Sequence, residues 1–132
     1  MSVTKVVVTK FPEHKRSGRP TLHWDGPGFA GAHRPDLSLS VAGNIWWLSP
    51  DKHENAHHTD DYTFRATGDR WVPLDSKSYR LDLVDRDGVK HDAMGSISFR
   101  PTDLYKNNNA EEGSRTFSRG GVAMRVHVKW QY

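Results

Sequence analysis

The segment "GVAMRVHVKWQY" that ends the chain alternates strictly between apolar and polar residues. Val122, Met124, Val126, Val128 and Trp130 fall on one face, and Arg125, His127, Lys129 and Gln131 on the other. A period of two is the signature of a strand with one face on a core and the other in water. "SYRLDLVD" repeats it, with Tyr79, Leu81 and Leu83 facing inward and Arg80 and Asp82 outward. "TKVVVTK", "DLSLSVAG", "DYTFRAT" and "GSISFR" are further short strands, "NIWWLS" is a β-rich apolar run, and "TLHW" and "RTFSR" are weaker candidates. Turn pairs separate them at Asp25-Gly26-Pro27-Gly28, Gly43-Asn44, Gly68-Asp69, Asp87-Gly88 and Gly120-Gly121. Seven to nine short strands with frequent turns predict an all-β antiparallel sandwich.

At 132 residues the chain is read as one domain able to bury its own core. An exposed basic loop is expected near 10–20 ("KFPEHKRSGRP") and a polar loop near 105–114 ("YKNNNAEEGS"). The absence of cysteine excludes disulfides and thiol catalysis. No signal-peptide pattern opens the sequence, and no apolar run approaches the roughly 20 residues of a membrane-spanning helix. A cytoplasmic location is the expectation. The net charge of +3 favours anionic partners mildly and argues against a committed nucleic-acid binder.

Residues 82–95, "DLVDRDGVKHDAMG", gather Asp85, Asp87 and Asp92 between two apolar stretches. One reading is a hairpin that reverses at Asp87-Gly88. The other is an oxygen-rich loop, since neighbouring carboxylates repel one another until a cation neutralises them and Ca²⁺ prefers such ligands. The EF-hand pattern fails, because position 5 counted from Asp85 is Val89.

The run "YRLDLVDRDGVKHDAMGSISFRPTDL" resembles the distal part of a C2 domain, the calcium- and phospholipid-binding β-sandwich. Asp85 and Asp87 match the family's Asp-x-Asp pair and Asp92 its third aspartate. Ala93-Met94-Gly95 matches the family's apolar pair and glycine, "SISF" its next strand, and Leu104 the end of the loop after that strand. The final strand is similar too. For the family's first calcium loop this chain offers "HRPDLSLSV", where Asp36 is the nearest equivalent; Asp25 in "HWDGPG" is a second candidate. The resemblance implies a non-enzymatic module that binds Ca²⁺ through Asp85, Asp87, Asp92, Asp36 and Asp25, and contacts an anionic membrane surface or a protein. The rival expectation is a calcium-independent sandwich used as an interaction or assembly subunit.

"HENAH" formally matches His-Glu-x-x-His. On a helix, His53 and His57 would share a face and could ligate zinc with His58, Asp60, Asp61 or a distant residue, and Glu54 would be the base of a small zinc hydrolase. One or two helical turns over "SPDKHENAHH", capped by Ser49, would supply that face. The surroundings are polar and no second long helix is in view, so a histidine-bearing surface loop is preferred and the chain is read as not an enzyme. Of Trp46 and Trp47, one is expected in the core and the other either capping an edge or exposed as a contact residue. Trp47, Arg80, Arg125 and Lys129 are the candidate surface contacts, with the three basic residues expected on a similar face.

Overall fold

A computed structural model describes residues 1–12, 34–87, 90–106 and 110–132, without the side chains of residues 87 and 90. "TLHW", the turn at Asp25 and the greater part of the expected basic loop lie outside the described residues, as does Gly88.

The described residues form eight strands and one helical turn. The strands are β1 (Ser2–Lys10), β2 (Leu37–Val41), β3 (Leu48–Ser49), β4 (Tyr62–Ala66), β5 (Tyr79–Asp87), β6 (Lys90–Phe99), β7 (Glu112–Arg119) and β8 (Val122–Lys129). The turn, α1 (Pro101–Leu104), lies between β6 and β7. All pairings are antiparallel. They give a five-stranded sheet in the order β3-β4-β1-β8-β7 and a three-stranded sheet in the order β2-β5-β6. The all-β sandwich expected from the alternation is the fold.

The inner faces obey that alternation. Val6 and Val8 of β1, Phe64 of β4, and Met124, Val126 and Val128 of β8 are buried from one side, and Leu81, Leu83, Ile97 and Phe99 from the other. Trp46 completes the core. Its ring packs edge-on to Tyr79 with centroids 5.2 Å apart, and its Nε1 donates to the Arg70 carbonyl at 2.8 Å. A buried indole keeps its N–H satisfied in this way.

Two glycine positions fix the geometry. At Gly120-Gly121, φ values of 56° and 84° close the β7–β8 hairpin, the left-handed pair that two-residue hairpin turns need. In β6 the register slips opposite Leu83 and Val84, leaving Met94 as the extra, buried residue of a β-bulge. Gly95 beside it has φ +153°, and a Cβ there would lie 2.7 Å from Cγ2 of Val122.

Several expectations need correction. "NIWWLS" contributes only Leu48 and Ser49 as strand, because Trp46 turns into the core. No helix forms over "SPDKHENAHH". That segment has no apolar face to bury, and its His53 is committed to a backbone bridge with Leu37 through bonds of 2.8 and 2.9 Å. The polar loop ends before residue 112, where β7 begins. The basic loop begins later than residue 10, because Lys10 closes β1 and Phe11 is buried. The helical turn at Pro101–Leu104 was not anticipated. Pro101 opens it and the Asp103 carboxylate accepts the Arg100 N–H at 2.9 Å, a capping arrangement over one turn.

Candidate anion-binding sheet face

The aspartates expected around a cation are placed by the three-stranded sheet. Leu37 of β2 pairs with Asp85 of β5, and Asp85 with Asp92 of β6. Asp85 continues the inward series Tyr79, Leu81 and Leu83, so its carboxylate is fully buried at one end of the sandwich. Its Oδ1 accepts the backbone N–H of Asp36 at 3.0 Å. The Asp36 carboxylate accepts from the Asn55 N–H at 2.9 Å and lies 3.9 Å from Lys52 Nζ. Asp85 and Asp36 therefore tie the chain entering β2 to β5 and to the 52–55 loop. β5 and β6 pair as far as Asp87 and Lys90, and the turn expected at Asp87-Gly88 lies beyond the described residues. Asp25 and the side chain of Asp87 lie outside the described residues, and among the described residues no three His, Asp or Glu side chains are grouped to hold a metal.

The "HENAH" segment is irregular, so the shared helical face that zinc ligation by His53 and His57 presupposes is absent. The His53 ring turns to the sandwich, 2.8 Å from the Thr63 carbonyl and edge-on to Phe64 at 4.9 Å. His57 turns outward, with Nδ1 2.6 Å from the Thr59 hydroxyl, and stacks on His58. Glu54 is exposed and 3.6 Å from Lys52.

Trp47 is 67% exposed, against 3% for Trp46, the division expected of the pair. Its carbonyl holds the Thr67 N–H at 2.9 Å, so the indole projects from a fixed backbone. Arg80 belongs to the other sheet. It lies on the outer face of β5, with Nε 3.0 Å from the Asp82 carboxylate, and does not share a face with Arg125 and Lys129. A sequence pattern assigns a residue to a face of its own strand, but not a strand to a sheet.

Among the described residues, several basic side chains gather on the outer face of the five-stranded sheet. Arg65 of β4, Lys5 of β1 and His127 of β8 are successive cross-strand partners and form one row. Arg125 stands two residues along β8. Its guanidinium reaches across to β7, 2.7 Å from the Ser114 hydroxyl and 3.3 Å from that of Thr116, which holds it along the sheet. Lys129 extends the series in the other direction, bonded to Asp69 at 2.7 Å and lying over the Trp71 ring. Burial holds the His127 imidazole below its ordinary value of 6.5. Lys5 and Arg125 push it the same way, and Glu112 opposes them. Burial and the two cations thus favour the neutral form of the ring, against Glu112. Lys5 and Arg65 are like charges directly opposed across strands, which destabilises a sheet, so folding alone gives no reason for that pair. His127 was placed from the sequence on the polar face of the last strand with Arg125 and Lys129, whereas Lys5 and Arg65 were not singled out. Alternation in "TKVVVTK" and "DYTFRAT" would have turned Lys5 and Arg65 outward, but nothing in the sequence said that β4 and β8 flank β1.

Comparison with family models, with curated proteins and with solved structures gives no match for this chain.

Proposed function

We propose that the protein is a calcium-independent β-sandwich binding module whose contact surface is the outer face of its five-stranded sheet, and that its partner is an anionic lipid surface. The observation that carries the reading is the row Arg65–Lys5–His127 with Arg125 alongside, assembled from three strands far apart in sequence. Strands are about 4.8 Å apart, so the basic side chains form a broad array. Such an array suits a plane of headgroups, where each basic residue near the surface contributes about 1 kcal/mol. Acidic groups beside it among the described residues include Glu112, and Asp69 paired with Lys129. The aspartates at one end of the three-stranded sheet act in this reading as structural acceptors, and binding needs no calcium.

Co-sedimentation with phosphatidylcholine vesicles, with and without phosphatidylserine, tests the proposal. Binding should require phosphatidylserine, weaken steeply with salt, persist in a chelator, and be lost in the Lys5→Glu/Arg125→Glu double variant. Binding that is indifferent to phosphatidylserine, or that appears only when calcium is added, would overturn it.

A further inference from the structure

Within that face, a depression of about 270 Å³ opens where β1 and β8 slip register between Val3 and Lys5. It is lined by Thr4, Lys5, Arg65, Glu112 and His127. We infer that this depression is a site for a phosphate group bearing two negative charges, either a phosphomonoester headgroup or free phosphate, held between Lys5, Arg65 and His127. The inference rests on the reading of the face as anion-binding and names the ligand chemistry of one place on it.

All three basic residues of the row line this depression. Lys5 is the direct partner of both Arg65 and His127. The Thr4 hydroxyl is spent on the His127 carbonyl at 3.1 Å, which pins the bulge and leaves recognition to the three basic side chains. The volume far exceeds the ~10–15 Å³ one water needs, so a phosphate and its remaining hydration fit. Arginine offers a planar fork to two phosphate oxygens, and lysine a point charge to a third. The groups acting on the His127 ring are Lys5 from β1, Arg125 from its own strand and Glu112 from β7. Arg65 joins them across the depression and Lys129 along the strand. A bound dianion reverses the sign of this field, so the imidazole takes up a proton and becomes the third cation. Glu112 on the rim opposes any anion. Attraction to the row and repulsion from Glu112 both scale with the ligand's charge, so a dianion gains more than a monoanion as long as the net field of the site is positive.

The experiment is a titration of the full chain with inorganic phosphate, followed by the imidazole and amide resonances of residues 4, 5, 65 and 127, together with vesicle binding. Saturable shifts confined to these residues and a rise in the His127 pKa are expected. Lys5→Gln and Arg65→Gln should each weaken phosphate about tenfold or more, equivalent to about 1.4 kcal/mol, while Glu112→Gln should tighten it. Phosphatidic acid vesicles, which expose a phosphomonoester, should bind better than phosphatidylserine vesicles of equal charge, and Lys5→Gln should remove the difference. Phosphate shifts with no vesicle binding would retain the pocket, identify free phosphate as its ligand and sink the membrane reading. Vesicle binding without a phosphate response at His127 would sink the pocket and leave the membrane reading standing. Weak shifts spread over every lysine and arginine would also overturn the pocket.

Discussion

Thr4 of β1 donates its hydroxyl to the carbonyl of His127 on β8 at 3.1 Å, across the point where the two strands slip register. This bond joins residues 123 positions apart and holds His127 next to Lys5. The imidazole consequently sits in a positive field, partly desolvated, with its pKa below 6.5.

The lowered pKa makes stability depend on pH, with a definite sign. In the unfolded chain His127 takes up its proton as pH falls through about 6.5, whereas in the folded chain it resists until lower pH. The unfolded state therefore binds more protons in this window, and stability falls as pH falls. The contribution is fully present above pH ~6.5 and is lost towards the folded pKa. Melting temperatures of the wild type and His127→Gln, compared across this range, should show a shallower acid decline in the variant. Parallel curves would show that His127 is not depressed.

The neighbouring tryptophans should respond in opposite ways. Trp46→Ala removes a buried indole packed on Tyr79 and Phe99 and should cost about 3–5 kcal/mol. Trp47→Ala removes an exposed ring and should stay within about 0.5 kcal/mol. Urea denaturation reads both, and similar losses would mean that Trp47 supports the core.

Gly95→Ala is expected to destabilise the fold by about 1–3 kcal/mol. The added methyl would meet Val122 at 2.7 Å in a backbone conformation that residues with a side chain rarely adopt. Val122→Ala in the same chain relieves the contact but not the φ angle, so it should recover only part of the loss. Full recovery, read by thermal melting, would assign the whole effect to the clash.

Asp85→Leu leaves the Asp36 N–H without its acceptor and should cost about 1–3 kcal/mol. Asp85→Asn keeps an acceptor oxygen and should cost less. Both costs should be the same in chelator and in millimolar calcium, measured by thermal melting. A cost that appears only with calcium would return Asp85 to the role of a metal ligand.

Within each strand, the sequence by itself determined which side chains go inside. Val122, Met124, Val126 and Val128 could face only one way, because a strand exposes alternate residues to opposite sides and water rejects the apolar set. The glycine pair at 120–121 was legible for a related reason, since few residues tolerate positive φ. A β-sandwich followed from many such segments, and the division of Trp46 from Trp47 from their adjacency. What the tertiary structure alone decided was which strands are neighbours. Arg80 reads like Arg125 in sequence, yet it lies on the opposite sheet against Asp82. Asp85 reads like a solvated turn residue or a metal ligand, yet the register of β2 on β5 buries it against the backbone of Asp36. Lys5, Arg65 and His127 are ordinary polar residues of three separate strands until β1 is laid between β4 and β8. Alternation is a local property that each strand carries with it, whereas strand order is settled by long-range packing of interchangeable apolar faces. A site assembled across strands becomes visible only when that order is known.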